Sequence, residues 1–333
     1  MKLIAETAWH HQGDYEFMQS LVGALIDNSG ADVVKMHVTL NFDEYMHPSH
    51  PGYATLNNML FSAQQWRGLA EKVKSAGREL MWLVNDTEAV RLAARQGVDL
   101  VEVHAVCLND TNLLSAIRSE IAPDTKIVLG VGGSSLYEID AALNYLQWEE
   151  VVLMFGFQNY PTRYQDINFH KVRRIMGLYP EYQYGFADHT EWDAEENQLI
   201  SLLGAAQGMD YLEKHVTTHP GEERIDWQSA IPVADCRALK QKLEILDACL
   251  GDGALALSPA EQSYANFGPM KKAAVLKRDI RRDELIEAQD ITLQRCGESS
   301  DISQVDIPSL FGQKAGRDLA AGSVLRRNDI AWS

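Results

Sequence analysis

The chain has 333 residues, 46% of them hydrophobic, and a formal net charge of −17 from 47 acidic against 30 basic side chains. That length supports one large core plus a small one, or two of medium size. The acidic balance argues against a nucleic-acid partner, and no run approaches the roughly 18 uninterrupted apolar residues of a membrane span.

The opening Met1-Lys2-Leu3-Ile4-Ala5-Glu6 lacks a signal-peptide layout, because an acidic residue arrives before any apolar region forms. A soluble cytoplasmic protein is expected. Cys107, Cys236, Cys249 and Cys296 form no C-x-x-C pair. They read as reduced thiols rather than a disulfide or zinc framework.

In chain order, short runs rich in β-branched and aromatic residues predict strands at Leu3–Ala8, Val33–His37, Leu80–Val84, Leu100–His104, Lys126–Gly130, Val151–Phe155, Tyr182–Phe186 and Tyr211–His215. Amphipathic stretches lie between them, including Phe17–Asp27, Trp66–Ala76, Thr87–Gln96 and Glu195–Gln207. Gly30, Gly77 and Gly97 each follow such a stretch and mark helix ends. Eight strands alternating with helices over about 250 residues favour a closed parallel TIM (β/α)8 barrel, with an open doubly wound sheet as the runner-up.

The pattern changes near Leu250. Residues 1–252 are taken as the barrel and 253–270 as a linker. Residues 271–333 hold short strand-like pieces with Gly and Asp turns, expected as a small β domain. Two of those pieces share an Asp-Ile ending, Asp279-Ile280 and Asp329-Ile330.

Chemistry on such a barrel sits at the C-terminal ends of the strands. "FADHT" places Asp188 and His189 at the end of the seventh strand, and "LEKHV" places Glu213, Lys214 and His215 at the end of the eighth. Neighbouring strands run about 4.8 Å apart, so both imidazoles can reach one ion. Imidazole with oxygen co-ligands suits Mn²⁺, Fe²⁺, Co²⁺ or Zn²⁺. The alternative is two unrelated, hydrogen-bonded histidines. Glu6 and Lys35 stand in apolar strands, where a charge needs a partner. Lys35 either pairs with Glu6 or serves an anion or a proton. His10 and His11 in "AWHHQGD" are substrate contacts or a solvated pair. "LGVGGSS" resembles an anion nest at a helix start, a weak signal alone.

Taken together, these segments resemble the sialic acid (N-acetylneuraminate) synthase family. The resemblance is carried by "AETAWHHQGD", "ADVVKMHV", "NYPT", "YGFADHT", "LEKHVTTH" and "RIDWQSAIP", and by a tail similar to the antifreeze-like (SAF) domain, "LQRCGE" included. It spans nearly the whole chain in the right order. It implies a TIM barrel followed by a β-clip domain, in a domain-swapped homodimer. It implies metal-dependent condensation of phosphoenolpyruvate with an N-acetylated aldose to a 2-keto-3-deoxy sugar acid. His189 and His215 would hold the divalent metal, Mn²⁺ foremost, with Mg²⁺, Co²⁺, Fe²⁺ or Zn²⁺ as alternatives. Glu6, Lys35, Glu213 and Asp226 would serve catalysis. Gln158, Tyr160 and Arg295 would contact substrate, Arg295 from the partner copy. From their own places at or after the strand ends, His11, Glu102, His104 and Asp188 are expected as substrate contacts too.

The chain departs from that family on the donor side. The family's Lys-Ile-Gly-Ser-Gly-Glu run reads "VEVHAVCLND" here, with Glu102 for the lysine, Ala105 for the serine and Cys107 for the glutamate. Ala187 replaces a serine and Gln158 an asparagine. Two other functions therefore stand beside the synthase. One is an aldolase or lyase of an unphosphorylated 2-oxo acid, with Glu102 and His104 as acid and base. The other is a non-catalytic sugar-binding relative.

Overall fold

A computed structural model of the protein describes residues 1–156 and 159–332. They divide into two compact units, Met1–Gly251 and Asp252–Ser333. Among the described residues no helix is long and apolar enough to cross a membrane.

The first unit is a closed barrel of eight parallel strands: β1 Lys2–Glu6, β2 Val33–Val38, β3 Glu79–Val84, β4 Leu100–Val103, β5 Lys126–Gly130, β6 Val151–Gly156, β7 Gln183–Asp188 and β8 Tyr211–Thr217. β1 pairs with β8 to close the ring, with Glu6 opposite His215. The principal helices are α1 Tyr15–Asn28, α2 Ala63–Ser75, α3 Thr87–Gln96, α4 Thr111–Glu120, α5 Leu136–Leu146, α6 Phe169–Met176, α7 Asn197–Ala205 and α8 Val233–Leu250.

Local chemistry sets the helix ends. Asp14 caps α1 by accepting from the Phe17 amide at 3.0 Å. Asp86 caps α3 by accepting from the Ala89 amide at 2.8 Å, and Gly97 ends it in the left-handed region at φ 55°. The "GGSS" turn resolves as a cap too. Ser135 and Glu138 form a reciprocal capping box at the start of α5.

Period-two alternation builds the barrel interior. Its middle is apolar, an enclosed cluster including Ile4, Val33, Met81, Leu100, Val128, Val152 and Tyr211. Two residues further along their strands stand Glu6, Lys35, Leu83, Glu102 and Glu213. The intervening residues Leu3, Ala5, Val34, Met36, Trp82, Val101 and Leu212 belong to the larger core that includes the helices' buried faces. The strand pattern thus carries four charged side chains to the top of the lumen, above this apolar layer.

The second unit pairs Ala273–Leu276 with Ile291–Gln294, and Lys314–Ala315 with Ile330–Ala331, both antiparallel. Its core includes Ile280, Ile286, Leu310, Leu319 and Leu325. A repeat is visible in its ion pairs. Arg278 binds Asp290 at 2.6 Å and Arg317 binds Asp329 at 2.7 Å. Asp290 and Asp329 each end a short 3-10 turn before a strand. The partner of Asp329-Ile330 in this repeat is Asp290-Ile291, not the Asp279-Ile280 that the sequence pattern suggests. Residues 253–270, expected as a linker, include a capped helix at Pro259–Tyr264. Phe267 also bridges to Ser300 within the second unit.

Candidate active site

Lys35 is the centre of the site. Its Nζ lies 2.5 Å from Glu102 Oε2, 2.9 Å from Glu213 Oε2 and 3.2 Å from Glu6 Oε2. All four side chains are buried, at 2–5% exposure. One ammonium cannot neutralise three carboxylates. Two like charges about 4 Å apart repel by roughly 4 kcal/mol at an effective dielectric near 20, which favours retaining protons.

The protonation pattern follows. Burial disfavours ionisation of Glu6, but Lys35, His215 and His37 outweigh it and hold its carboxyl well below the usual carboxylate range. Burial pushes Glu213 well above that range, and the Glu6 charge adds to the push against the pull of Lys35. Burial raises Glu102 as well, with Lys35 opposing and Glu6 reinforcing. Burial works against the Lys35 ammonium. Glu102, Glu213 and Glu6 more than offset this and raise its pKa well above the ordinary lysine value. The cluster thus pushes the two carboxyls in opposite directions, Glu6 toward ionisation and Glu213 toward keeping its proton.

Four histidines complete the wall. His37 pairs with Glu6 through Nε2. His215 Nε2 lies 3.4 Å from Glu6 Oε2, and its Nδ1 is 3.5 Å from Ser229 Oγ. His189 and His215 meet edge to face with ring centroids 4.8 Å apart, and Tyr160 packs against both at 4.9 and 5.4 Å. His104 follows β4, and its Nδ1 accepts from the Val106 amide at 3.4 Å. Burial pushes the Tyr160 phenol strongly upward, so it stays a neutral donor. Gly130, Gly132 and Gly156 line the same cavity. A Cβ on Gly132 would sit 1.9 Å from the Gly156 carbonyl oxygen, so this close approach of the β5 and β6 ends requires glycine.

The His189–His215 pair suits a divalent ion in donor chemistry. Among the described residues no third His, Cys, Asp or Glu completes a protein ligand set. The pair fits an ion as two of its donors, with water or substrate oxygens supplying the rest.

The structure thus gathers Glu6, Lys35, Glu102, His104, Tyr160, His189, Glu213 and His215 around one cavity. Asp226 lies close by. Burial raises its carboxyl despite the opposing pull of His215 and His37. Other candidates fall elsewhere. Asp188 accepts from Thr190 and Ser201 and pairs with Lys214 at 3.1 Å, beneath α7. It braces β7 against β8 instead of facing the cavity. His11 packs among Trp9, Phe61 and Trp66, with Nδ1 accepting from the Gly13 amide at 3.1 Å. Arg295 donates to the Pro269 carbonyl at 2.6 and 2.9 Å within the second unit. Gln158 lies outside the described residues. His37 stands among the strand-end candidates of the sequence reading without an assigned role, Gly130 and Gly132 enter it only as part of the weak "LGVGGSS" nest, and Gly156 does not enter it. For His37 the signal was its place two residues after Lys35, on the same face of β2.

Comparison with known proteins agrees with this architecture. Residues 24–254 match the NeuB family and residues 271–331 match the SAF domain. A protein named N,N'-diacetyllegionaminic acid synthase from Legionella pneumophila is 24% identical over 97% of this chain and 92% of its own length. One of the same name from Campylobacter jejuni is 22% identical over 97% and 98%. Among solved structures, the putative spore coat polysaccharide biosynthesis protein E of Chromobacterium violaceum superposes with a TM-score of 0.82 at 21% identity, covering 99% of each chain. The N-acetylneuraminic acid synthetase of Leptospira borgpetersenii superposes with a TM-score of 0.70 at 21% identity, covering 78% of this chain and 88% of that one. The family match covers more than half of the chain, on a closed eight-stranded barrel followed by an SAF domain, and this chain therefore belongs to the NeuB family.

Proposed function

We propose that the barrel joins a three-carbon enol donor to the aldehyde carbon of an open-chain (N-acetyl) aldose, giving a 2-keto-3-deoxy sugar acid of the sialic or nonulosonic type. One observation carries this reading. Lys35 gathers Glu6, Glu102 and Glu213 in a buried cluster beside two facing histidines at the strand ends. Membership of the NeuB family and the names of its relatives support the same chemistry.

The side chains divide the work. Glu213 holds a proton in a dry cavity and offers it to the aldehyde oxygen as the new bond forms. Glu6, held ionised, accepts a hydrogen bond from a sugar hydroxyl. Tyr160 donates from a phenol that burial keeps neutral. His189 and His215 would hold the divalent ion, Mn²⁺ in the first instance, which supplies Lewis acidity toward a carbonyl oxygen when bound. The apolar layer beneath the cluster excludes water from below the reacting atoms.

In the form implied by the resemblance, the donor is phosphoenolpyruvate and phosphate is released. A second form, of aldolase or lyase type, uses an unphosphorylated 2-oxo acid. The engagement of Lys35 by three carboxylates favours this second form. The test is incubation of Mn²⁺-loaded protein with each donor and a panel of aldoses, with products read by mass. A donor-plus-aldose adduct supports the reading, and its absence with every pair refutes it.

A further inference from the structure

The charge a donor can bring into this cavity is limited by the groups that would meet it. Among the described residues, the cavity wall carries one ammonium, Lys35, and no guanidinium. That ammonium already has three buried carboxylate neighbours within 3.2 Å. His37, the wall's imidazole nearest Glu6, is paired with it. Two residues of the turn that could cradle an anion are also committed. The Ser134 amide donates to the Val131 carbonyl, and the Ser135 amide and hydroxyl both donate to Glu138. A phosphate ester carries about −1.5 to −2 charge near neutrality, and proteins meet such groups with cations or several backbone amides. Here the one ammonium is already shared among three buried carboxyl groups. Glu102 is the decisive member of the cluster. It is the carboxylate closest to Lys35, and it stands on β4 across the lumen from Glu6 and Glu213, which β1 and β8 hold side by side.

We infer that Glu102 sets the donor's charge, so that the site takes a singly charged, unphosphorylated 2-oxo acid and turns away its phosphorylated enol. This rests on the carbon–carbon bond-forming reading above. The methyl carbon of the 2-oxo acid gives up a proton to a wall carboxylate. The freed electron pair forms the bond to the aldehyde carbon, and the aldehyde oxygen takes up a proton. No bond to phosphorus breaks and nothing is oxidised or reduced.

Calorimetric titration of pyruvate and phosphoenolpyruvate into the full-length, Mn²⁺-loaded protein and its Glu102→Gln variant tests the inference. Wild type is expected to bind pyruvate at least tenfold more tightly than phosphoenolpyruvate. Glu102→Gln is expected to shift that ratio toward phosphoenolpyruvate by tenfold or more. Equal or tighter binding of phosphoenolpyruvate by wild type overturns the inference. So does binding of neither compound, or an unchanged ratio in a folded variant. Should the variant not fold, the wild-type ratio decides alone. Selective pyruvate binding with no adduct to any aldose would defeat the parent reading and leave the donor inference supported.

Discussion

Lys35 Nζ and Glu102 Oε2 stand 2.5 Å apart inside a barrel, above an enclosed apolar layer. The pair is the shortest link in a cluster that places one cation among three carboxylates. Removing the cation should be far more damaging than removing any one anion. Breaking a buried pair by deleting one partner typically costs about 3–5 kcal/mol. Lys35→Met should lose about that much in urea unfolding at pH 7. It should recover part of the loss at pH 5, where the stranded carboxyls gain protons. A loss below about 1 kcal/mol would show that Lys35 does not hold the cluster together.

Glu213 offers a prediction in which activity and stability move in opposite directions. Its folded pKa is raised, so its contribution to stability is complete below its unfolded pKa and is lost as pH rises through the folded value. Glu213→Gln cannot lose a proton. Its stability should decline less than that of wild type between pH 5 and 9, followed by thermal unfolding. Its turnover should fall about 10²- to 10⁴-fold, the usual worth of a general acid. Unchanged turnover would remove Glu213 from the chemistry.

The metal assignment is separable from activity. His189→Ala and His215→Ala should each lose bound Mn²⁺ by elemental analysis while keeping the circular dichroism of the barrel. Full occupancy in either variant would contradict the pair.

His11 predicts an acid limit. Burial among aromatic rings lowers its pKa to about 3, and Nδ1 is occupied as an acceptor from Gly13. The folded value lies below the unfolded one, so its contribution is present above the unfolded pKa and fades as pH falls toward about 3. Each such group adds about 1.4 kcal/mol per pH unit to the slope in that window. His11→Asn should flatten the stability–pH curve between pH 6 and 4 by about that amount. An unaltered slope would mean that His11 is not held neutral.

The barrel was legible because strand runs and helix stops are written locally. Lys126–Gly130 and Thr87–Gln96 begin and end where the sequence pattern puts them. Helix boundaries set by capping were less legible. Gly13-Asp14 reads as a turn and helix start, and Asp14 does cap the helix that begins at Tyr15, but Ala63 starts its helix three residues ahead of the apolar periodicity because Ser62 caps it. The roles of charged strand ends depend on which face each residue takes. Alternation turns Glu213 and His215 inward and leaves Lys214 to pair with Asp188 under α7, so a residue adjacent to His189 became a brace. Glu102 stood out as a charge at a strand end. Its partner was not visible, because Lys35 reaches it across the lumen from β2, a contact that no sequence spacing records.

The central claim is carbon–carbon bond formation at the Lys35 cluster. It is tested most directly by supplying Mn²⁺-loaded protein with ¹³C-labelled pyruvate or ¹³C-labelled phosphoenolpyruvate and a panel of N-acetylated and plain aldoses, then following the labelled carbon by NMR while assaying free phosphate. The account predicts that the labelled carbon moves into a 2-keto-3-deoxy acid only when aldose is present, about 10²- to 10⁴-fold more slowly in Glu213→Gln, and does so from pyruvate without phosphate release. Label that stays in the donor with every aldose would contradict it.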